Sequence, residues 1–166
     1  MGRLRKTGIR VIGVLLPVLV ACQQPVDLLP EERAAAITDS VSHVMQRFTA
    51  LAEAAKWDSL GMFYSESSSF RFFESGVLQY GSAQAVRDAL AELPAGTRVA
   101  TEYNDLEIQA LAPGLALVTA GFETTFTGNG TPGFSYQGVV TLVWTNEGGT
   151  WRILSGHSSV PVPRGG

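Results

Sequence analysis

The second half of the chain, residues 98–160, carries the pattern that most restricts the fold. Apolar and polar residues alternate there and no helical period appears, which predicts strands. The predicted strands span residues 98–111, 115–127, 134–146 and 150–160. Short turns rich in glycine, proline or asparagine separate them, so consecutive strands are expected to pair antiparallel.

The first half of the chain supplies helices. Pro30 and the two glutamates after it are typical of a helix start, since proline fits the first turn and carboxylates complement the exposed NH groups. Apolar residues at steps of three and four then predict one long helix. They are Ile37, Val41, Val44, Phe48, Leu51 and Ala55. A short second helix, two strands turning at Gly76 and a third helix capped by Ser82 follow. This order predicts an α+β fold with helices on one face of the sheet.

Residues 1–21 have the composition of an export signal rather than of a folded element. Four basic residues within the first ten precede an apolar run that ends on small residues. This run is shorter than the about 20 apolar residues that a permanent membrane helix needs. The chain's single cysteine follows Leu-Val-Ala, and LVAC resembles the lipobox of bacterial lipoproteins. The resemblance implies that the signal is removed and that Cys22 is acylated, with palmitate among the expected acyl groups.

Loss of the signal changes the charge of the protein. It leaves eight Lys and Arg against 15 Asp and Glu, a net charge of about −7. Nucleic-acid binding needs a basic surface, so we expect no such partner. We predict a lipidated tether over residues 22–30, one domain over residues 31–161 and a disordered tail over residues 162–166. The expected location is the cell envelope, outside the cytoplasm, and the outer membrane if the source has one.

The order of elements and the ending TLVWTNEGGTWRILSGHSS are similar to the SnoaL-like branch of the nuclear transport factor 2-like superfamily. The similarity covers about residues 31–161. It implies a strongly curved antiparallel sheet around the long first helix, a cystatin-like cone with a pocket at its wide end. It also implies that a homodimer would form through the outer sheet face. The superfamily includes ketosteroid isomerase, scytalone dehydratase and domains without known catalysis, so the fold leaves the function open.

Seven residues are predicted to contact a ligand in this pocket. Alternation along the last strand places His157 on the face of Trp151 and Ile153, which would aim its imidazole at the pocket mouth. There it could transfer protons, or simply hold the last hairpin by hydrogen bonds. Glu123 could act as a base inside an apolar cone, or lie on a solvent-facing strand. The other five are aromatic and would either bind an apolar ligand or fill the core. They are Trp57, Tyr64, Phe72, Tyr103 and Tyr136.

These observations support three functional hypotheses. The favoured one is a membrane-tethered binding or accessory module whose small apolar pocket holds a ligand or part of an envelope protein. The second is a SnoaL-like acid–base enzyme, a cyclase, isomerase or dehydratase, with His157 and Glu123 as catalytic residues. The third is a structural partner in envelope assembly. The sequence contains no metal-ligand set and no cofactor motif, and His43 is expected to be solvated.

Overall fold

The computed structural model describes residues 29–128 and 131–161. The signal, Cys22 and most of the tether predicted from the sequence lie outside these residues, as does the predicted tail. The helices are α1 (Glu31–Glu53), α2 (Trp57–Gly61) and α3 (Ala83–Ala91). The strands are β1 (Arg71–Glu74), β2 (Val77–Tyr80), β3 (Arg98–Ala112), β4 (Leu115–Gly128), β5 (Thr131–Glu147) and β6 (Thr150–Ser159). The predicted α+β fold class and order of elements are confirmed.

The six strands form one sheet in the order β2-β1-β6-β5-β4-β3. Each strand pairs antiparallel with its neighbour except β1 and β6, which run parallel. The chain leaves β2 through α3, enters the far edge of the sheet at β3, and returns by three hairpins until β6 lies beside β1. The sheet is therefore mixed at this one pair. It curves around α1, as the cone predicted from the sequence requires.

Two local signals behave as their chemistry predicts. Ser82 caps α3, since its Oγ accepts a hydrogen bond from the Ala85 amide at 3.2 Å. The turn between β1 and β2 places Ser75 and Gly76 at φ angles of 48° and 84°. The second of these suits glycine, which has no Cβ to clash in a left-handed conformation. The turn of the β4–β5 hairpin, residues 129–130, lies outside the described residues.

The core lies between α1 and the inner face of the sheet. The helix buries Ile37, Val41 and Met45, which pack in one cluster with residues of every long strand. Val41 is fully buried and Trp144 of β5 is 1% exposed. His43 lies on the solvent side of α1, as predicted, where its Nδ1 is 2.7 Å from the Asp39 carbonyl oxygen. Within residues 29–128 and 131–161, no helix combines the length and apolar composition needed to cross a membrane.

A β-bulge interrupts the last hairpin at Leu154. Val143 of β5 pairs with Ser155 of β6, whereas Trp144 pairs with Ile153. Leu154 therefore has no partner of its own on β5, and β6 contains one more residue than β5 over this stretch. Because side chains alternate between the two faces of a strand, the extra residue exchanges the inner and outer positions for the rest of β6.

Candidate ligand-binding cavity

A cavity of about 280 Å³ lies between the end of α1, helices α2 and α3, and the inner face of β3, β4 and β5. Pockets that hold small molecules usually measure roughly 300–1,000 Å³, so this one suits a small ligand. Most of its wall is apolar, and hydroxyl groups are its main polar component. None of the described residues that line it is an Asp, Glu, Lys, Arg or His. The apolar wall includes Phe48, Leu60, Val86, Leu90, Leu93 and Phe126.

The five aromatic residues predicted as ligand contacts all lie on the inner side of the sheet or beneath it. Trp57, Tyr64 and Tyr136 line the cavity. Phe72 and Tyr103 are half-buried and pack against the core cluster, outside the set that lines the cavity. The structure thus brings three of the five together at one site, and their part in ligand binding stays a prediction.

The two polar residues predicted to face the cavity point the other way. Glu123 is exposed, while its neighbours Phe122 and Thr124 are buried on the inner face. His157 is also exposed, because the bulge at Leu154 turns Gly156 inward in its place. For His157 the predicted inward orientation is wrong, and for Glu123 the solvent-facing alternative is the one observed. The acid–base pair suggested for an enzyme is therefore not assembled in the cavity.

Three of the four tyrosines of the chain, Tyr64, Tyr80 and Tyr136, line this cavity, although they come from separate segments. Burial raises the pKa of Tyr64, with smaller contributions from Tyr103 and Tyr80. Burial also raises the pKa of Tyr103, to about 12. The pKa of Tyr136 is raised by burial and, to a smaller extent, by Glu74 and Tyr80. The phenols of Tyr64, Tyr103 and Tyr136 are therefore neutral near pH 7 and can donate hydrogen bonds.

The tyrosine hydroxyls are open to a ligand. Within residues 29–128 and 131–161, none of them has a hydrogen-bond partner. In the same part of the chain, Trp144 Nε1 is the only enclosed side-chain polar atom that lacks a partner. It follows that the tyrosine oxygens are reached by solvent rather than sealed in the core. A ligand with one polar group could satisfy them.

Glu74 is the carboxylate that sequence reasoning missed. It lies two residues after Phe72 on β1 and so on the same face, is half-buried like it, and pairs with Ser158 of β6 and Val77 of β2. Its charge makes a contribution, smaller than that of burial, to the raised pKa of Tyr136. Glu74 forms no ion pair with any of the described residues. The sequence feature that could have identified Glu74 is its position two residues after Phe72, because residues at this spacing share one face of a strand. Tyr80, which lines the cavity, was missed as well.

Known structures share this fold at low sequence identity. A candidate scytalone dehydratase from Novosphingobium aromaticivorans DSM 12444 aligns with a TM-score of 0.70 and 9% identity, over 79% of this chain and 88% of that one. A nuclear transport factor 2-like superfamily protein from Salmonella enterica serovar Typhimurium LT2 aligns with a TM-score of 0.65 and 14% identity, over 79% and 95%. A candidate dehydratase from Streptomyces avermitilis gives 0.65 and 17%, over 77% and 98%. At these identities the likeness establishes the fold alone.

The family assignment comes from the sequence comparison. No curated protein matches the chain significantly. The SnoaL-like domain family, in contrast, matches residues 41–163, which is most of the chain and includes α2, α3 and all six strands. This protein therefore belongs to the SnoaL-like domain family.

Proposed function

We propose that this domain binds a small, largely apolar molecule in the cavity beneath α2 and α3. The observation that carries the proposal is the cavity of about 280 Å³ with apolar walls and tyrosine hydroxyls that no described residue satisfies. Such a site offers a ligand both a place for its apolar body and a hydrogen-bond donor for one polar group.

The expected affinity follows from the area that such a ligand would bury. Burial of about 200 Å² of apolar surface contributes about 5 kcal/mol. Each hydrogen bond to a tyrosine hydroxyl adds about 0.5–1.5 kcal/mol, and the loss of ligand freedom opposes both. We expect dissociation constants from about 1 μM to 1 mM for small neutral probes.

We also propose that the domain works at a membrane surface. The supporting features are the LVAC sequence at Cys22, the basic residues before it and the apolar run between them. Two or three acyl chains on the cysteine would provide stable anchoring, where a single chain is marginal. A tethered cavity would then meet apolar molecules that partition into the bilayer. A protein segment of the envelope is the alternative occupant.

Acid–base catalysis is the second candidate function. One observation favours it: Glu74 is a half-buried carboxylate on the same face of β1 as Phe72, and its charge contributes to the raised pKa of Tyr136, which lines the cavity. A carboxylate can accept a proton while a neutral phenol donates a hydrogen bond to the developing charge. Two of the structures with this fold are candidate dehydratases, which is consistent with such chemistry in the superfamily.

A cavity-filling variant tests the binding proposal. Ala89 of α3 lines the cavity, so Ala89→Trp should fill part of it and weaken binding of 2-naphthylmethanol about tenfold or more. Ala91→Trp adds the same side chain at an exposed position of the same helix and serves as the matched control. Calorimetric titration of the purified proteins measures both. Equal binding by the two variants and the wild type would place the site elsewhere.

A further inference from the structure

A second groove, of about 470 Å³, lies between the middle of α1, helix α2 with the residues that follow it, and the start of β6. Among the described residues, none lines both this groove and the cavity beneath α2 and α3. Two arginines line the groove, Arg47 of α1 and Arg152 of β6, and none of its described lining residues is an Asp or a Glu. This local positive charge contrasts with the net charge of the whole chain, which is −3.

Arg152 is held in position by two contacts. Its Nε lies 3.4 Å from Glu147 Oε2, and its Nη1 donates a hydrogen bond to the Met62 carbonyl oxygen at 2.9 Å. The other oxygen of Glu147 accepts a hydrogen bond from the hydroxyl of Ser65, which is fully buried. A guanidinium carries several N–H groups, so those of Arg152 that do not face Glu147 or Met62 remain available to a ligand.

Arg47 is the cation of the groove that lacks a counterion. Its Cζ lies 5.8 Å from the centroid of the Phe63 ring, a distance typical of a cation–π contact. Within residues 29–128 and 131–161, Arg47 forms neither an ion pair nor a hydrogen bond. Because Glu147 balances the charge of Arg152, the groove keeps one positive charge, that of Arg47.

The other charged residues of the surrounding elements do not compensate this charge. Apart from the two arginines, every charged residue of α1, α2, β5 and β6 lies outside the described lining of the groove. Asp58 of α2 is exposed and belongs to a separate groove, which Trp57 also lines. His43, one helical turn before Arg47, is exposed and adds positive charge when it is protonated.

The rest of the groove offers apolar surface and hydroxyl groups. Phe63 and Trp151 form its floor and are 8% and 6% exposed, whereas Met62 is 55% exposed. Three hydroxyl side chains also line the groove: Ser40, Ser59 and Thr150. The oxygen of Ser40 accepts the hydrogen bond of the Trp151 indole, so its own proton can be donated to a ligand.

We infer that this groove binds a small apolar molecule that carries one carboxylate. The carboxylate contacts the guanidinium of Arg47, whose planar array of N–H groups matches its two oxygens. The apolar body lies against Phe63, Trp151 and Met62. A single negative charge matches the one positive charge that Glu147 leaves uncompensated. A neutral molecule of the same shape binds more weakly, because it gains only the apolar contacts.

Two probes with the same naphthalene body test this inference: 2-naphthylacetate, which is ionised at pH 7, and the neutral 2-naphthylacetamide. We expect the purified wild-type protein to bind the carboxylate about fivefold or more tighter than the amide in calorimetric titrations. Raising the salt concentration should narrow this difference, because ions screen the charge of Arg47. Acetate at the probe concentration should not compete, since it lacks the apolar body.

Two variants of α1 separate the role of Arg47 from that of net charge. Arg47→Gln should weaken carboxylate binding about fivefold and leave amide binding within about twofold. Arg33→Gln removes the same charge at an exposed position of the same helix, outside the described lining, and should leave both affinities unchanged. Both variants leave the contacts of Arg152 with Glu147 and Met62 intact. Circular dichroism melts establish that they are folded.

The contrary results are distinguishable from failure of the proposed cavity function. Equal binding of the carboxylate and the amide, or absence of binding by both, would overturn this inference and leave binding of 2-naphthylmethanol in the cavity intact. An equal loss of carboxylate binding in Arg47→Gln and Arg33→Gln, or none in either, would overturn the role of Arg47. Loss of carboxylate binding in Ala89→Trp would place the carboxylate in the cavity instead of this groove.

Discussion

The indole Nε1 of Trp151 donates a hydrogen bond to Ser40 Oγ at 3.0 Å, which joins the last strand to the first helix. Trp151 is 6% exposed, so its ring also fills the core. We expect Trp151→Ala to lower the free energy of unfolding by about 3–5 kcal/mol. Ser40→Ala should cost about 1–3 kcal/mol, because it leaves the buried indole donor without a partner. Denaturant titrations measure both changes.

Trp144 provides the control for this contact. Its Nε1 has no partner among the described residues, although the ring is as deeply buried. Trp→Phe at either position removes similar volume, but only at Trp151 does it break a hydrogen bond. Trp144→Phe should therefore be the less destabilising of the two by about 1 kcal/mol or more. The reverse order would show that the Trp151–Ser40 bond contributes little.

Gly156 leaves room for the ring of Phe72 on the inner face of the sheet. A Cβ at Gly156 would lie 2.4 Å from Phe72 Cε2 and 3.0 Å from Leu142 Cδ2. We expect Gly156→Ala to lower the free energy of unfolding by about 1–3 kcal/mol through overpacking. Gly81→Ala is the control, since nothing lies within 4 Å of its added Cβ. Similar stability of the two variants in thermal melts would contradict this account.

The outward position of His157 leads to a prediction opposite to the one that strict alternation suggests. Its imidazole lies on the outer face, in register with Thr141 of β5 and Phe73 of β1, which are both exposed. His157→Ala should change stability by no more than about 0.5 kcal/mol and leave probe binding unchanged. Calorimetry and thermal melts test this. A loss of binding comparable to that of Ala89→Trp would mean that the histidine reaches the cavity.

Buried tyrosines should make the domain less stable at high pH. The pKa of Tyr103 is about 12 in the folded state against 10 ordinarily, so the unfolded chain loses this proton first. The contribution of the protonated Tyr103 phenol to the free energy of unfolding is fully present below about pH 10. It is lost as the pH rises toward 12. For Tyr103 the loss reaches about 3 kcal/mol at most. Unfolding measured between pH 9 and 11.5 should show a shallower decline for Tyr103→Phe than for the wild type.

The lipid anchor stays a prediction, because Cys22 lies outside the described residues. Cys22→Ser should release the protein from the membrane fraction or stop it as the uncleaved precursor, since acylation precedes signal removal in the lipoproteins it resembles. Fractionation followed by mass measurement of the N-terminus decides between processed and unprocessed forms. Unchanged membrane association with normal cleavage would contradict the lipoprotein prediction. The predicted homodimer and the envelope location likewise stay predictions.

The fold was predictable because its signals are local. Three predictions depend on residues close in sequence: the helix α1 from its apolar residues at steps of three and four, the Ser82 cap and the turn at Gly76. Each is confirmed. The parallel pairing of β1 with β6 was not predictable in this way. It joins Phe72 to Gly156 across more than half of the described chain, where no local pattern specifies the partner.

The site was predicted less well than the fold for a related reason. Aromatic residues face the interior wherever burial is favourable, so Trp57, Tyr64 and Tyr136 were identifiable by type alone. A carboxylate requires knowledge of its strand face. Glu123 and Glu74 each follow directly after a phenylalanine in predicted strands, and only the pairing of those strands with the rest of the sheet distinguishes the exposed one from the half-buried one.

The bulge at Leu154 has a consequence for how this domain can be compared with its relatives. Deletion of that single residue would make the pairing of the last hairpin regular and leave Gly156 inside and His157 outside, opposite the same residues of β5. A relative of equal length whose last hairpin pairs without a bulge would instead place the residue aligned with His157 inside and the one aligned with Gly156 outside. A lineage could thus gain or lose an internal histidine by losing or gaining the bulge, with no substitution at the histidine itself. Before the role of a histidine is assigned to an aligned histidine in a homologue, the presence or absence of this bulge must be established, because the bulge decides which face of the strand the side chain occupies.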